Sequence, residues 1–191
     1  NNTFIGNNAT DYGAGIYWQS SKIRITNYTF TNNTAYKSGG GIYAGTEIEG
    51  SEVINCTFTG NKALDGNGGA INWASSGGHI NRTNFINNTA GTFNPDGSVK
   101  TEGYGGAVYI SAHGNSSSVD NSTFVDNVAT LDGGAIYWNA RSGYLEDTRF
   151  ENNRARNGAA LFRGENAVEG YGFNNTFIGN NATDYGAGIY W

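Results

Sequence analysis

One cysteine, Cys56, and one proline, Pro95, stand in 191 residues, and methionine is missing altogether. A single thiol cannot close an intrachain disulfide, so this is no disulfide scaffold. Cys56 reads as a small buried apolar residue rather than a reactive group. Positive charge is scarce and scattered, eleven Lys and Arg against sixteen Asp and Glu, for a net charge of −5. Without a basic stripe to meet a phosphate backbone, nucleic acid is excluded as an expected partner. No apolar run approaches the ~18–20 residues of a membrane span. Neither a leader peptide nor an initiator methionine is present, so the segment is expected to be internal to a longer chain whose targeting and anchoring lie elsewhere. No stretch of ten residues carries helical periodicity, which removes the helical solenoids.

What is present is repetitive. Apolar residues make up only 37%, a level compatible with disorder, but aromatics reach 14% and are placed at regular intervals, which argues for an ordered core. Phenylalanine recurs at Phe4, Phe30, Phe58, Phe85, Phe124, Phe150 and Phe177, in steps of 26, 28, 27, 39, 26 and 27 residues. Three residues after each stands an asparagine: Asn7, Asn33, Asn61, Asn88, Asn127, Asn153 and Asn180. Two further on is always an alanine, from Ala9 to Ala182. A second block follows in each unit, reading GAGI, GGGI, GGAI, GGAV, GGAI, GAAL and GAGI. The period is about 27 residues and must be read before any secondary structure.

Runs such as IRITNYTF, EVINCTF and AIYW are rich in β-branched and aromatic residues and bounded by Gly, Asn and Ser, the pattern of short strands. Three strands and three turns per repeat are expected, forming one coil of an all-β parallel β-helix, or β-solenoid, with coils in register ~4.8 Å apart. Phe and the aliphatic of the glycine block then face inward and stack. Alanine fits a narrow bend, and the first glycine supplies a positive φ or a close approach. The FxxN asparagine is expected at a bend in a left-handed conformation, its amide bonded to the coils above and below as an asparagine ladder.

One coil is long. Its excess lies at 91–104, where Asn94-Pro95-Asp96-Gly97 signals a turn and Thr92-Phe93 can pair with Ser98–Thr101 in a protruding arm. The first eighteen residues, NNTFIGNNATDYGAGIYW, return unchanged at Asn174–Trp191. Residues 1–173 therefore read as one unit of six coils, and 174–191 as the start of the next identical unit in a longer array.

FxxN followed by GGA[ILV] resembles the paired signature of the chlamydial polymorphic membrane proteins and of adhesin-like surface proteins of methanogenic archaea. FxxN matches in seven units and strict GGA[ILV] in three, at Gly68–Ile71, Gly105–Val108 and Gly133–Ile136. The Asn- and Thr-rich, single-cysteine composition is more similar to the archaeal group. The resemblance implies a right-handed parallel β-helix exposed on a cell surface, with adhesive or structural roles and no catalytic residues.

Residue types agree with that. Polygalacturonase-like sites on β-helices need paired acids, and here NTD and DD segments are missing. His113-Gly114 sits in a polar turn, and Glu146-Asp147 alternate across a strand. Arg141, Arg149, Arg154, Arg156 and Arg163 cluster without an acidic triad, so no enzyme is expected. Asp11, Asp65, Asp132 and Asp184 precede the glycine block and read as turn formers rather than calcium ligands, and no other cofactor or metal is expected. Eleven N-x-S/T sequons occur, at Asn1, Asn8, Asn27, Asn32, Asn55, Asn81, Asn87, Asn115, Asn121, Asn174 and Asn181. They are candidate N-glycan acceptors, those beside ladder asparagines turning outward. After each aliphatic comes Tyr17, Tyr43, Asn72, Tyr109, Tyr137, Phe162 or Tyr190, an expected outward stripe for packing or sugar binding. Trp18, Trp73, Trp138 and Trp191 follow it. The function expected is a segment of an extracellular fibre, partnered with itself end to end and laterally. The rivals are an adhesin using the stripe or the arm to bind glycans or host proteins and, more distantly, a polysaccharide-active enzyme.

Overall fold

The computed structural model describes residues 1–19, 22–46 and 49–191. Every regular element among them is a β-strand. The strands stack into a parallel β-solenoid of about seven coils, each roughly 27 residues from the next. Four parallel sheets result. Sheet A holds seven strands, from Thr3–Ile5 and Thr29–Thr31 to Thr176–Ile178, and sheet B seven, from Asn8–Ala9 to Asn181–Tyr185. Sheet C holds seven, from Ile16–Trp18 to Ile189–Tyr190, and sheet D six, from Arg24–Thr26 to Tyr171–Phe173.

A coil thus has four strands rather than the three expected from sequence. The run IRITNYTF is not one strand. It bends at Asn27, with φ 62°, between Thr26 and Thr29 and feeds sheets D and A. The bend between sheets A and B corrects the asparagine expectation. The left-handed residue is the one before the FxxN asparagine: Gly6, Asn32, Gly60, Asn87, Asp126, Asn152 and Gly179 have φ between 54° and 65°. These are Gly, Asn and Asp, the types that reach this region at least cost. The ladder asparagine follows with an ordinary backbone and an amide free to point along the axis.

Register places like on like. Phe30 pairs Phe58 and Phe58 pairs Phe85 in sheet A, while Ile42 pairs Ile71 in sheet C. The middle residue of each sheet A or D strand and the outer two of each sheet C strand face inward. The phenylalanines from Phe30 to Phe150 are fully buried, with ring centroids 4.6–5.1 Å apart and planes within 10°. Each buried ring contributes about 1.5–3 kcal/mol over an exposed one, and offset stacking adds ~0.5–1.5 kcal/mol per pair.

The glycine block closes each coil from sheet B into sheet C. Its first glycine has φ from 56° to 70° in all seven copies. Its second, where glycine, is forced by proximity: a Cβ on Gly106 would lie 2.1 Å from the Gly134 carbonyl oxygen.

In the long coil, Thr92–Phe93 and Val99–Thr101 pair antiparallel. Asn94 donates its N–H to Ser98 O (2.8 Å), closing the turn. The Asp96 carboxylate accepts the Ser98 hydroxyl and N–H, which hold its carboxyl below the usual range.

Candidate functional site

At the corner between sheets A and B the FxxN asparagines form a continuous ladder. Asn33 donates its N–H and its amide to Asn61 Oδ1 at 3.1 and 2.9 Å, and the second amide hydrogen goes to Phe4 O at 3.0 Å. The same pattern runs through Asn61, Asn88, Asn127 and Asn153 to Asn180, and begins with Asn7 on Asn33. Asn33, Asn61, Asn88, Asn127 and Asn153 are wholly buried, so each amide depends on its neighbours for every bond.

A second ladder, at the corner between sheets D and A, escaped the sequence reading. Tyr28 N–H points to Cys56 Sγ (3.4 Å) and Thr83 N–H to Ser122 Oγ (3.1 Å). Cys56 and Ser122 N–H point to Thr83 and Thr148 Oγ1 (both 3.4 Å), and Thr148 N–H to Asn175 Oδ1 (3.0 Å). Residue type changes at every rung because any short side chain with an acceptor serves. The usable signal is position, two before each phenylalanine. Cys56 is one of these rungs, and burial pushes its thiol pKa up.

Sheet D also carries an unforeseen polar cluster on its outer face. His79 Nδ1 lies 2.9 Å from Ser118 Oγ, and His79 Nε2 lies 2.9 Å from Asp120 Oδ1. With the proton on Nε2, Asp120 Oδ1 gains its one partner. The connectivity matches that of a nucleophile, base and acid. The surroundings do not: Ser118 is only 4% exposed and its N–H is committed to Gly78 O. The cluster's evident work is to tie two coils together.

The sequon asparagines sit at the surface. Ten of the eleven are exposed and Asn81 is half-buried. Asn27, Asn32, Asn55, Asn87, Asn121 and Asn174 occupy left-handed corner positions, with φ between 48° and 62°. Asn8 and Asn181 lie on the outer face of sheet B.

The aromatic column lies on the outer face of sheet C, in two stacked segments. Tyr17 and Tyr43 stack at 5.4 Å; Tyr109, Tyr137, Phe162 and Tyr190 continue at 5.2, 5.0 and 4.8 Å. Asn72, buried, separates them. Tyr12 and Tyr104 lean on Tyr43 and Tyr137, so most of the column is half-buried. Burial, with Tyr109 and Asp132 beside it, raises the Tyr137 pKa to about 12. Trp73 and Trp138 turn inward and donate to Ser75 O and Ala140 O.

The aspartates before the glycine block are dispersed and three are engaged: Asp11 by Lys37, Asp132 by Asn157 and Asp184 by Arg156. Among the described residues no three His, Cys, Asp or Glu converge as a metal site. The arginines spread out as well. Arg149 pairs Glu151, Arg163 bonds Ala167 O and lies over the Trp191 ring, and Arg141 and Arg154 are exposed. His113 is exposed, and Asp147 takes a left-handed corner beside strand residue Glu146.

The Chlamydia polymorphic membrane protein repeat matches at residues 27–45, 55–78 and 121–137, stretches built around the asparagine ladder and glycine block. The chain is also 33% identical over 185 residues to a protein of Escherichia coli (strain K12) described as probable autotransporter YfaL. That alignment covers 90% of this chain but only 14% of the relative's length. No solved structure matches. Parts of the β-solenoid are thus similar to polymorphic membrane protein repeats, and the two likenesses point to surface exposure or association with an outer membrane.

Proposed function

We propose that this chain is a segment of a long surface stalk or filament made of tandem 173-residue β-solenoid units, whose role is mechanical rather than catalytic. One observation carries the reading. The eighteen-residue phrase occurs twice and shows both of its faces in use. As residues 1–18 it packs under the second coil, Phe4 on Phe30 and Asn7 on Asn33. As residues 174–191 it packs over the sixth, Phe177 on Phe150 and Asn180 accepting from Asn153. One copy making both sets of contacts would join unit to unit with neither ladder broken.

The stacked aromatic column supports stiffening of the fibre rather than ligand capture by a free stripe. The exposed corner asparagines support N-glycans as a coat on a surface-exposed shaft. Lateral association would use the outer sheet faces. The deciding experiment is to produce one, two and three tandem copies of residues 1–173 and measure their lengths by small-angle scattering. Six coils at ~4.8 Å predict about 29 Å of added length per unit. Units that tumble as separate bodies on a flexible tether would overturn the proposal.

A further inference from the structure

The arm at 91–104 does more than lengthen one coil. It leans over the outer face of sheet B and with it encloses a groove of about 580 Å³. That volume lies within the ~300–1,000 Å³ of ordinary ligand sites. Phe93 and Val99, cross-strand partners in the arm, form an apolar wall; Val128, Thr130, Arg154 and Arg156 lie on the floor. The wall is fixed in place. Thr101 Oγ1 donates to Leu64 O on the preceding coil, while Thr130 Oγ1 donates to Thr101 O (2.9 Å) and Leu131 N–H to Gly103 O (3.1 Å) from the following one.

Three features define what fits. Phe93 and Val99 are 44% and 41% exposed although rigidly held, so apolar surface is presented at little entropic cost. The lining includes two guanidiniums and no carboxylate. Arg156 is satisfied by Asp184 at 2.9 Å, but the Arg154 guanidinium has no hydrogen-bond or ion-pair partner among the described residues. Hydroxyl and amide groups of Thr89, Thr130, Asn181 and Thr183 complete the lining.

We infer that this groove binds an acidic saccharide, a sugar chain bearing ring carboxylates. The C–H face of a pyranose packs on Phe93 and Val99, its carboxylate pairs with Arg154, and its hydroxyls meet the threonines and Asn181. An extended peptide fits less well, because the floor strands Val128–Ala129 and Arg154–Asn157 are each paired on both sides and offer no backbone edge for strand addition. The inference does not rest on the filament reading; it requires only the arm and the coils beneath it.

The test is calorimetric titration of the folded chain with an alginate hexasaccharide, with neutral maltohexaose and hexaglutamate as comparators. Arg154→Ala, Phe93→Ala and the milder Arg154→Lys are titrated beside the parent after melting curves verify folding. The expected result is alginate binding at least tenfold tighter than maltohexaose or hexaglutamate and weakened by salt. Arg154→Ala and Phe93→Ala should each reduce it at least tenfold, and Arg154→Lys by less. Absent alginate binding, equal binding of the neutral sugar, or unaffected variants would overturn the site. Tighter binding of hexaglutamate would overturn the saccharide assignment in favour of an acidic peptide. None of these outcomes alters the axial length per unit that decides the filament reading.

Discussion

Asn61 gives both its backbone N–H and its side-chain amide to one atom, Asn88 Oδ1, each at 3.0 Å. The rung therefore fixes main chain and side chain of one coil to a single acceptor of the next, in a fully buried corner. Replacing Asn127 tests how much of the fold hangs on that arrangement. Asn127→Ala strands the Asn88 donors and Phe85 O, and unfolding should show a loss of at least ~3 kcal/mol. Asn127→Asp keeps the acceptor but faces Phe85 O and Asn153 Oδ1 with a carboxylate. Its folded pKa should rise, so the variant should be most stable at low pH and lose stability as pH climbs through that raised value. A flat difference between parent and variant across acid titration would rule this out.

Phe85 lies between Phe58 at 5.1 Å and Phe124 at 4.6 Å. Phe85→Ala should cost about 3–5 kcal/mol, since neighbours locked in register cannot close the cavity. Chemical denaturation gives the value, and a cost below ~1 kcal/mol would mean that the stack relaxes.

Gly106 is constrained by proximity, its Cβ direction meeting both Gly134 O and the Val128 carbonyl carbon. Gly106→Ala should destabilise or block folding. Gly97→Ala at the arm tip, with nothing within 4 Å, should carry only the smaller cost of its positive φ of 85°. Equal effects on melting temperature would contradict the packing argument.

Tyr137 keeps its proton up to about pH 12 in the folded chain because burial disfavours the phenolate. An unfolded tyrosine ionises near ~10. Its folded pKa is the higher, so this contribution is intact below the unfolded pKa and is lost as pH rises from there towards the folded one. Melting curves of the parent and Tyr137→Phe should stay parallel below that window and converge or cross within it. Parallel behaviour throughout would remove Tyr137 as the cause.

Cys56 is 2% exposed with a thiol pKa raised by burial. Thiolate reagents should label it only at the rate of unfolding, and denaturant should accelerate labelling in step with loss of structure. Fast labelling of the folded chain would place the thiol at the surface.

The repeat of phenylalanine, asparagine and glycine displayed the solenoid because residues stacked on their own copies must keep the same chemistry. That logic reaches Phe85, Asn88 and Gly105 directly. It fails where the requirement is looser. The rungs Cys56, Thr83, Ser122 and Thr148 share only an acceptor on a short side chain, so no single letter marks the position. The left-handed corner before the ladder accepts Gly, Asn or Asp, which misdirected the sequence reading to the asparagine one place later. The corner at Asn27 is masked by the continuous β-branched and aromatic run IRITNYTF, so three strands were expected where four form. Arg154 and Phe93 lie 61 residues apart, and only the coil register and the seating of the arm bring them to one groove.

Stacking coils in this way stores contour. Each coil advances the axis by only ~4.8 Å, yet its roughly 27 residues would reach about 90 Å if drawn straight. The hydrogen bonds between coils run along the axis, so a pull on the two ends loads them in sequence, outermost first. Yielding one coil would release nearly twentyfold its own height in slack while the ladders beyond it stay closed. A tether wound like this absorbs a sudden load by lengthening before it lets go.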